Sequence, residues 1–235
     1  MDTAHSSYKL RVKNLNKTFT LHNRGSIIVS GFADIDFSLK KGQLLALSGP
    51  SGAGKSSILK TLFRTYLPTS GEINFQRTDG AVIDLAKCTE TMVLQLRRRE
   101  IGFITQFLKV LPRVTALDAV ASPLIETGET ETRARQRAGE LLLHLGIRRE
   151  LLDLSPLTFS GGEQQRVNIA RGIIAPKELL FIDEPTASLD TGSASIVLEI
   201  LEDLKKQGIA MIAIFHDQKK IDRVADLEYV VKRSK

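Results

Sequence analysis

The sequence is poor in cysteine, and Cys88 is the only one among its 235 residues. A disulfide within the chain is therefore impossible, which is typical of proteins that work in a reducing compartment. A single cysteine beside a lysine, here Lys87, is more often an inert side chain than a nucleophile. We interpret Cys88 in that way.

Long apolar runs are also missing. The longest, such as residues 44–47 and 209–215, fall far short of the roughly 20 residues that a membrane-spanning helix needs. Residues 1–7 are polar and lack the apolar stretch of a signal peptide. We therefore expect a cytoplasmic protein, and any work at a membrane would require another chain to supply the span.

The charge is mildly basic but dispersed. The formal net charge is +6, from 33 basic and 27 acidic residues. The only compact basic cluster is residues 97–99, and Glu100 interrupts it. This distribution favours a solvated helix face over a nucleic-acid surface, so we expect no direct binding of nucleic acid.

Strand-like and helix-like segments alternate along the chain. Period-two or fully apolar patterns predict strands at 9–19, 26–29, 44–47, 101–104, 179–182 and 209–215. Helical patterns follow at 56–63, 132–145, 192–206 and 217–224, with turns at 22–25 and 68–71 and a C-terminal cap at Gly146. Apolar strands alternating with helices indicate a parallel sheet that is covered on both faces, and hence an α/β fold.

Residues 49–56 read Gly-Pro-Ser-Gly-Ala-Gly-Lys-Ser, which matches the P-loop pattern between an apolar strand and a helix. Glycines let backbone N–H groups turn towards phosphates, and the helix N-terminus adds positive potential. Lys55 is expected to reach the β- and γ-phosphates, and the Ser56 hydroxyl to bind Mg²⁺. The predicted cofactors are ATP and Mg²⁺, and the predicted nucleotide-binding residues here are Gly49, Pro50, Ser51, Gly52, Ala53, Gly54, Lys55, Ser56 and Ser57.

A second element consists of an apolar strand that ends in two carboxylates, Asp183 and Glu184. Successive side chains of a strand point to opposite faces, so the two carboxylates must have different roles. We assign Asp183 to the metal ion and Glu184 to the attacking water, from which it accepts a proton or which it orients.

Residues 159–166 read Phe-Ser-Gly-Gly-Glu-Gln-Gln-Arg and resemble the signature motif of ABC ATPases, which usually begins Leu-Ser-Gly-Gly-Gln. Ser160, Gly161 and Gly162 open a helix whose N-terminus can face a γ-phosphate. In that family the phosphate belongs to ATP held by a second protomer. The resemblance therefore implies a partner ABC ATPase chain, identical or related. Glu163, in place of the usual glutamine, is counted among the nucleotide-binding residues.

The resemblance implies further site residues. Gln106, after strand 101–104, is similar to the glutamine that senses Mg²⁺ and water, and we count it as both catalytic and metal-binding. His216 resembles the histidine that contacts the γ-phosphate, and residues 188–190 resemble the loop that crosses the dimer interface. Phe19 is predicted to stack on adenine, although an aromatic residue in a strand is more often part of the core.

The resemblance covers nearly the whole chain and implies a P-loop NTPase with a RecA-like parallel-sheet core, an antiparallel β subdomain and a helical subdomain. We expect a single domain over residues 1–235. Its core and β subdomain would occupy about 1–87 and 165–235, and its helical subdomain about 88–164. Phe159 and Glu163 depart from the usual motif, but the groups expected at phosphate, metal and water are present, so we expect an active ATPase.

The partner is a separate question. Residues 98–103 and 106–120, with the extended segment 19–31, are similar to the ATP-binding subunits of the bacterial phosphonate C–P lyase system. This resemblance implies soluble lyase core subunits as partners and a part in forming ribose 1-methylphosphonate 5-triphosphate from MgATP and methylphosphonate. The main alternative is the ATPase of a lipoprotein-release or macrolide-export type ABC transporter, whose motifs are very similar. Soluble ABC proteins of DNA repair or translation usually carry long insertions or two cassettes, and this chain has neither.

Overall fold

In the computed structural model, residues 8–21, 27–110 and 112–233 are described, and they form two sheets with helices around them. The predicted turn at 22–25 lies outside the described residues. Within the described ranges, no helix combines the length and the apolar character needed to cross a membrane.

One sheet is antiparallel, with the strand order β2-β1-β4-β5. Its strands are β1 (Leu10–Leu21), β2 (Ile27–Leu39), β4 (Ser70–Gln76) and β5 (Val82–Asp84). β1 and β2 pair in a long hairpin from Leu10↔Leu39 to Leu21↔Ile27, with register shifts between Val12 and Thr18.

The other sheet is parallel and has the order β6-β7-β8-β3-β9. Its strands are β3 (Leu44–Ser48), β6 (Ile101–Ile104), β7 (Leu179–Asp183), β8 (Ala210–Ile214) and β9 (Leu227–Val230). Every residue of β7 and β8 is buried, as expected for strands covered on both faces. The order also places the C-terminal ends of β6, β7 and β8 side by side, which is the edge where the site forms.

Seven α-helices surround the parallel sheet in the described residues. They are α1 (Lys55–Leu62), α2 (Glu90–Arg99), α3 (Ala116–Glu126), α4 (Glu131–His144), α5 (Gly161–Ile173), α6 (Thr191–Lys206) and α7 (Gln218–Val224). The fold is the predicted P-loop NTPase of the α/β class.

The parallel sheet separates two apolar cores, because alternate side chains of each strand face opposite sides. Leu44 and Ala46 of β3 join the core formed with the helices that include α3 to α6. Leu45 and Leu47 join the core that contains α1 and the antiparallel sheet. Burial on both sides holds the strand ends of the site in fixed positions.

The structure also differs from the sequence predictions. The helices α2 and α3 and the strands β4, β5 and β9 were not predicted, and Ser70 and Gly71 belong to β4 rather than to a turn. The solvated-face prediction for residues 97–99 is wrong for Arg97, whose guanidinium is half-buried and donates to the carbonyl of Phe63 at 2.8 and 3.1 Å.

Candidate active site

The loop between β3 and α1 requires glycine for two different reasons. Gly49, Gly52 and Gly54 all have positive φ, at 119°, 77° and 94°, where L-residues are disfavoured. A Cβ at Gly54 would also collide with the carbonyl oxygen of Gly31. A Cβ at Gly52 would meet no atom within 4 Å, so that side of the loop is open to a ligand.

Lys55 begins α1 and is buried, with its ammonium group turned into the loop. It donates to the carbonyl oxygens of Gly49 at 2.7 Å and Pro50 at 3.0 Å. Burial lowers the pKa of Lys55, and the nearby carboxylates of Glu184 and Asp183 oppose that shift. Both hydrogen-bond acceptors are neutral carbonyls and no carboxylate is bonded to the ammonium group, so Lys55 is suited to an anionic ligand.

Ser56 and Asp183 lie together below the loop, and the Ser56 hydroxyl donates to Asp183 Oδ1 at 3.1 Å. Burial raises the pKa of the Asp183 carboxyl, while the hydrogen bond from Ser56 opposes the rise. In the described part of the chain, no cluster of three or more histidine, cysteine, aspartate or glutamate side chains could hold a metal ion. One hydroxyl and one carboxylate fit Mg²⁺, which keeps several waters and takes phosphate oxygens as further ligands.

Glu184 is the centre of a side-chain cluster at the strand ends. Its Oε2 accepts from Gln106 Nε2 at 3.1 Å, and its Oε1 accepts from His216 Nε2 at 2.7 Å. The three residues follow the neighbouring strands β6, β7 and β8, which explains how positions far apart in sequence meet. The predicted residues Gln106, Glu184 and His216 therefore lie within one hydrogen-bonded group.

The backbone at Glu184 is in an unusual conformation. Its φ is +53°, a region that non-glycine residues rarely adopt. Such strained residues persist where the surrounding structure holds them, and they are common at functional sites. Asp183 and Glu184 have different hydrogen-bond partners, Ser56 for the first and Gln106 and His216 for the second.

The signature residues are placed on a separate element. Ser160 is exposed and caps α5, and Glu163 Oε2 accepts both from the Ser160 backbone N–H at 3.0 Å and from its hydroxyl at 2.8 Å. These hydrogen bonds lower the pKa of Glu163. Sequence reasoning missed this capping role, although the Ser-x-x-Glu spacing is its usual signal.

The N-terminus of α5 packs on residues 188–190 of the same chain rather than on the P-loop. A Cβ at Gly162 would lie 3.4 Å from the carbonyl oxygen of Ser188. Arg166 on the same helix donates to the Ser193 hydroxyl at 2.8 Å. The structure thus groups the P-loop with Asp183 and the Glu184 cluster, while Ser160 and Glu163 bond to each other.

Phe19 lies near the P-loop and is not part of the core. It is half-buried, its ring meets Tyr66 edge-on with centroids 5.3 Å apart, and the Lys17 ammonium is 4.8 Å from its centroid. The ring also lies over Gly31, whose carbonyl approaches Gly54. The sequence analysis did not identify Lys17 and Tyr66 as neighbours of Phe19, because no motif or spacing marks them.

A segment after β9 also touches the P-loop. Val231 donates from its backbone N–H to the Ser48 carbonyl at 2.9 Å, and Arg233 donates to the Ser51 carbonyl at 3.0 Å. No sequence pattern predicted this contact, because it joins residues 182 positions apart.

Comparisons with known proteins agree with this geometry. The sequence model of the family described as ABC transporter matches residues 32–187. The lipoprotein-releasing system ATP-binding protein LolD of Legionella pneumophila is 35% identical over 209 residues, which cover 88% of this chain and 89% of LolD. The macrolide export ATP-binding/permease protein MacB of Syntrophobacter fumaroxidans is 37% identical over 211 residues, and this chain spans only 28% of its length.

A solved structure of a dimeric ATP-binding cassette, in a post-hydrolysis state with bound ADP and Pi, is similar over the whole fold. The TM-score is 0.86 at 27% identity, and the match covers 95% of this chain and 94% of that one.

Proposed function

Because this chain belongs to the ABC transporter family and is an ATPase that uses ATP with Mg²⁺, we propose that it is the ATP-binding subunit of a transporter of the lipoprotein-release or macrolide-export type. The observation that carries the proposal is the similarity to LolD along 89% of that protein. MacB supports the same class, but this chain corresponds to part of it. The permease would be a separate partner chain.

The side chains fit ATP hydrolysis as follows. Lys55 would exchange its carbonyl partners for phosphate oxygens, and Ser56 and Asp183 would hold Mg²⁺, which neutralises charge on the phosphates. Glu184 would take a proton from the attacking water. His216 and Gln106 would orient that carboxylate through the hydrogen bonds they donate at 2.7 and 3.1 Å, and Phe19 would stack on adenine.

We further propose that two chains enclose the nucleotides. Ser160 is exposed at the N-terminus of α5 and bonds to Glu163 rather than to the P-loop residues, so its helix end is available to a phosphate held by another chain. The similar cassette of known structure is itself dimeric. We also propose that a helical subdomain lies within about residues 88–164, apart from β6 (Ile101–Ile104), which pairs with β7 in the parallel sheet.

Ser160→Arg is expected to lower ATP turnover by about 10²-fold, the loss typical when one charge-stabilising donor is removed. Binding of ATP to the single chain should persist, because Ser160 would act across the interface. The measurements are the steady-state rate and nucleotide binding at low protein concentration.

The matched control is Thr89→Arg. Thr89 caps α2, because its side chain accepts a hydrogen bond from the Met92 N–H, so this substitution also removes a helix cap and adds a side chain of the same size. Either variant loses about 1 kcal/mol of cap stabilisation, so a defect shared by both would be structural. Normal turnover in Ser160→Arg would remove the argument for two chains.

A second candidate is the ATP-binding subunit of the phosphonate C–P lyase system, PhnL. The observation that favours it is the resemblance of residues 106–120, which begin with Gln-Phe-Leu-Lys-Val. The relatives reported above favour the transporter instead, because both are transport proteins. Its partners would be soluble lyase core subunits rather than a permease.

One purification separates the two candidates. The Glu184→Gln variant is expressed in the source cells, which are either supplied with phosphate or starved of phosphate and given a phosphonate. It is then purified in the presence of MgATP from the soluble fraction and from detergent-solubilised membranes. The control is Lys55→Ala, which should not be held in a nucleotide-bound state. A permease recovered with Glu184→Gln from the membrane fraction supports the transporter, whereas lyase subunits recovered without detergent replace it with the second candidate.

A further inference from the structure

The backbone turn at Glu184 has to be held in place by its surroundings. A φ of +53° at a non-glycine residue persists where neighbouring contacts over-determine it. The turn is closed by the Ala187 N–H, which donates to the Glu184 carbonyl at 3.4 Å, a long distance for an N–H···O hydrogen bond. Contacts to residues 185–187, which we call the post-strand loop, therefore bear on the direction of the Glu184 carboxylate.

Side chains from two different helices hold the post-strand loop. From α5, Gln165 Nε2 donates to the Pro185 carbonyl at 3.3 Å, and this contact is buried. From α7, Lys220 Nζ donates to Thr186 Oγ1 at 3.1 Å. The loop is thus anchored through one backbone carbonyl and one side-chain hydroxyl on successive residues.

The contact between Lys220 and Thr186 lies largely out of water. Thr186 is 6% exposed and Lys220 is half-buried. Among the ion pairs formed by the residues that the structure describes, none includes Lys220. Its ammonium group is therefore directed at a neutral hydroxyl, and a charged donor strengthens such a hydrogen bond. Removal of the ammonium group would leave a buried hydroxyl without this donor.

The helix that carries Lys220 is a firm base. Asp217 caps α7, and its carboxylate accepts from the Lys219 N–H at 3.0 Å. Ile221 and Val224 bury the inner side of the helix in the apolar core. The backbone position of Lys220 is therefore fixed by packing and not by its contact with Thr186.

The loops that follow β7 and β8 are joined at two points. His216, directly before α7, bonds to Glu184 at 2.7 Å, and the bond between Lys220 and Thr186 lies further along both segments. A cavity of about 60 Å³ lies between the two bonds, and all four residues line it. It is large enough for water, so movement of either segment would change the space beside the Glu184 carboxylate.

We propose that Lys220 is a positioning residue for ATP hydrolysis. By holding Thr186, it keeps the strained turn in the conformation that directs the Glu184 carboxylate to His216 and to the attacking water. The inference rests on the role proposed for Glu184 and does not depend on which partner the ATPase drives. Because Lys220 holds the post-strand loop rather than the P-loop, it should act on kcat and leave the affinity for MgATP unchanged.

Lys220→Met keeps the length of the side chain and removes the ammonium group. It is expected to lower kcat by about tenfold, less than the roughly 10²-fold that a misplacement of about 1 Å can cost. Equilibrium titration with MgATP should give the affinity of the unmodified chain. Lys220→Arg, which retains a charged donor, should restore the rate. Lys219→Met makes the same change at an exposed neighbouring position of α7 and is the matched control.

A double-mutant cycle with Thr186→Val tests whether Lys220 acts through the hydroxyl. Val has the shape of Thr without the acceptor, so Lys220→Met should lower kcat no further in that background. The same cycle in urea unfolding, without nucleotide, measures the contact itself independently of turnover. Both cycles should show coupling between the two residues.

A normal rate in Lys220→Met, or additive losses in the kcat cycle, would overturn the proposal. Coupling in urea unfolding without loss of kcat would give Lys220 a purely structural role and overturn it as well. An equal loss in Lys219→Met would trace the effect to net charge, with the same consequence. A normal rate in Glu184→Gln is a separate result, because it contradicts the role of that carboxylate whatever Lys220 does.

Discussion

Glu184→Gln is expected to lower the rate of ATP hydrolysis by about 10²–10⁴-fold, the usual contribution of a positioned general base, while ATP binding is retained. The amide has the shape of the carboxylate, but it has one acceptor oxygen instead of two, so it accepts from only one of Gln106 and His216, which lie at 3.1 and 2.7 Å from the two carboxylate oxygens. It cannot accept the proton of the attacking water. The bound state before hydrolysis should therefore accumulate.

Two measurements check this expectation: phosphate release at saturating MgATP, and the fraction of dimer by gel filtration with and without nucleotide. Glu72→Gln makes the same chemical change at an exposed position of β4 and should leave both unchanged. A normal hydrolytic rate in Glu184→Gln would show that another group activates the water. Loss of both ATP hydrolysis and ATP binding would instead indicate that the substitution damages the site.

The sequence predicted the parts of the fold whose patterns are local. The P-loop glycines, the apolar run of β7 and the cap at Gly146, with its φ of 75°, each depend on a few consecutive residues. Roles for Gln106, Glu184 and His216 were predicted one by one, and their meeting follows from the strand order β6-β7-β8, which places the three strand ends at one edge.

What the sequence did not predict depends on contacts between distant residues. The helix α2 has a charged C-terminal half, in which Arg97 is half-buried and donates to the carbonyl of Phe63, while the exposed Arg98 donates to the carbonyl of Glu126. The contact of Arg233 with Ser51 likewise exists only after β9 joins β3. Local propensity carries no information about such partners.

Glu163 illustrates a third case, in which one local pattern supports two roles. As a departure from the usual signature it was assigned to the nucleotide, whereas the Ser-x-x-Glu spacing also predicts the capping box that the structure contains. The two roles are compatible, because the cap holds the exposed Ser160 at the helix end. The cap explains why a carboxylate is tolerated there: it lies beside N–H groups at the positive end of α5.

Lys55→Ala is expected to weaken ATP binding by about 10²-fold or more, because hydrogen bonds to a charged group contribute roughly 1.5–3 kcal/mol each and Lys55 would make two of them to phosphates. The fold without nucleotide should tolerate the change, since the hydrogen-bond acceptors of Lys55 are only the carbonyls of Gly49 and Pro50.

Thermal unfolding with and without MgATP tests both statements, because a ligand that binds the native state raises its stability. The midpoint without nucleotide should stay close to that of the unmodified chain, while the rise on adding MgATP disappears. Lys40→Ala, at an exposed position before β3, should keep the full rise, and a full rise in Lys55→Ala would show that the phosphates are held mainly by the backbone N–H groups of the loop.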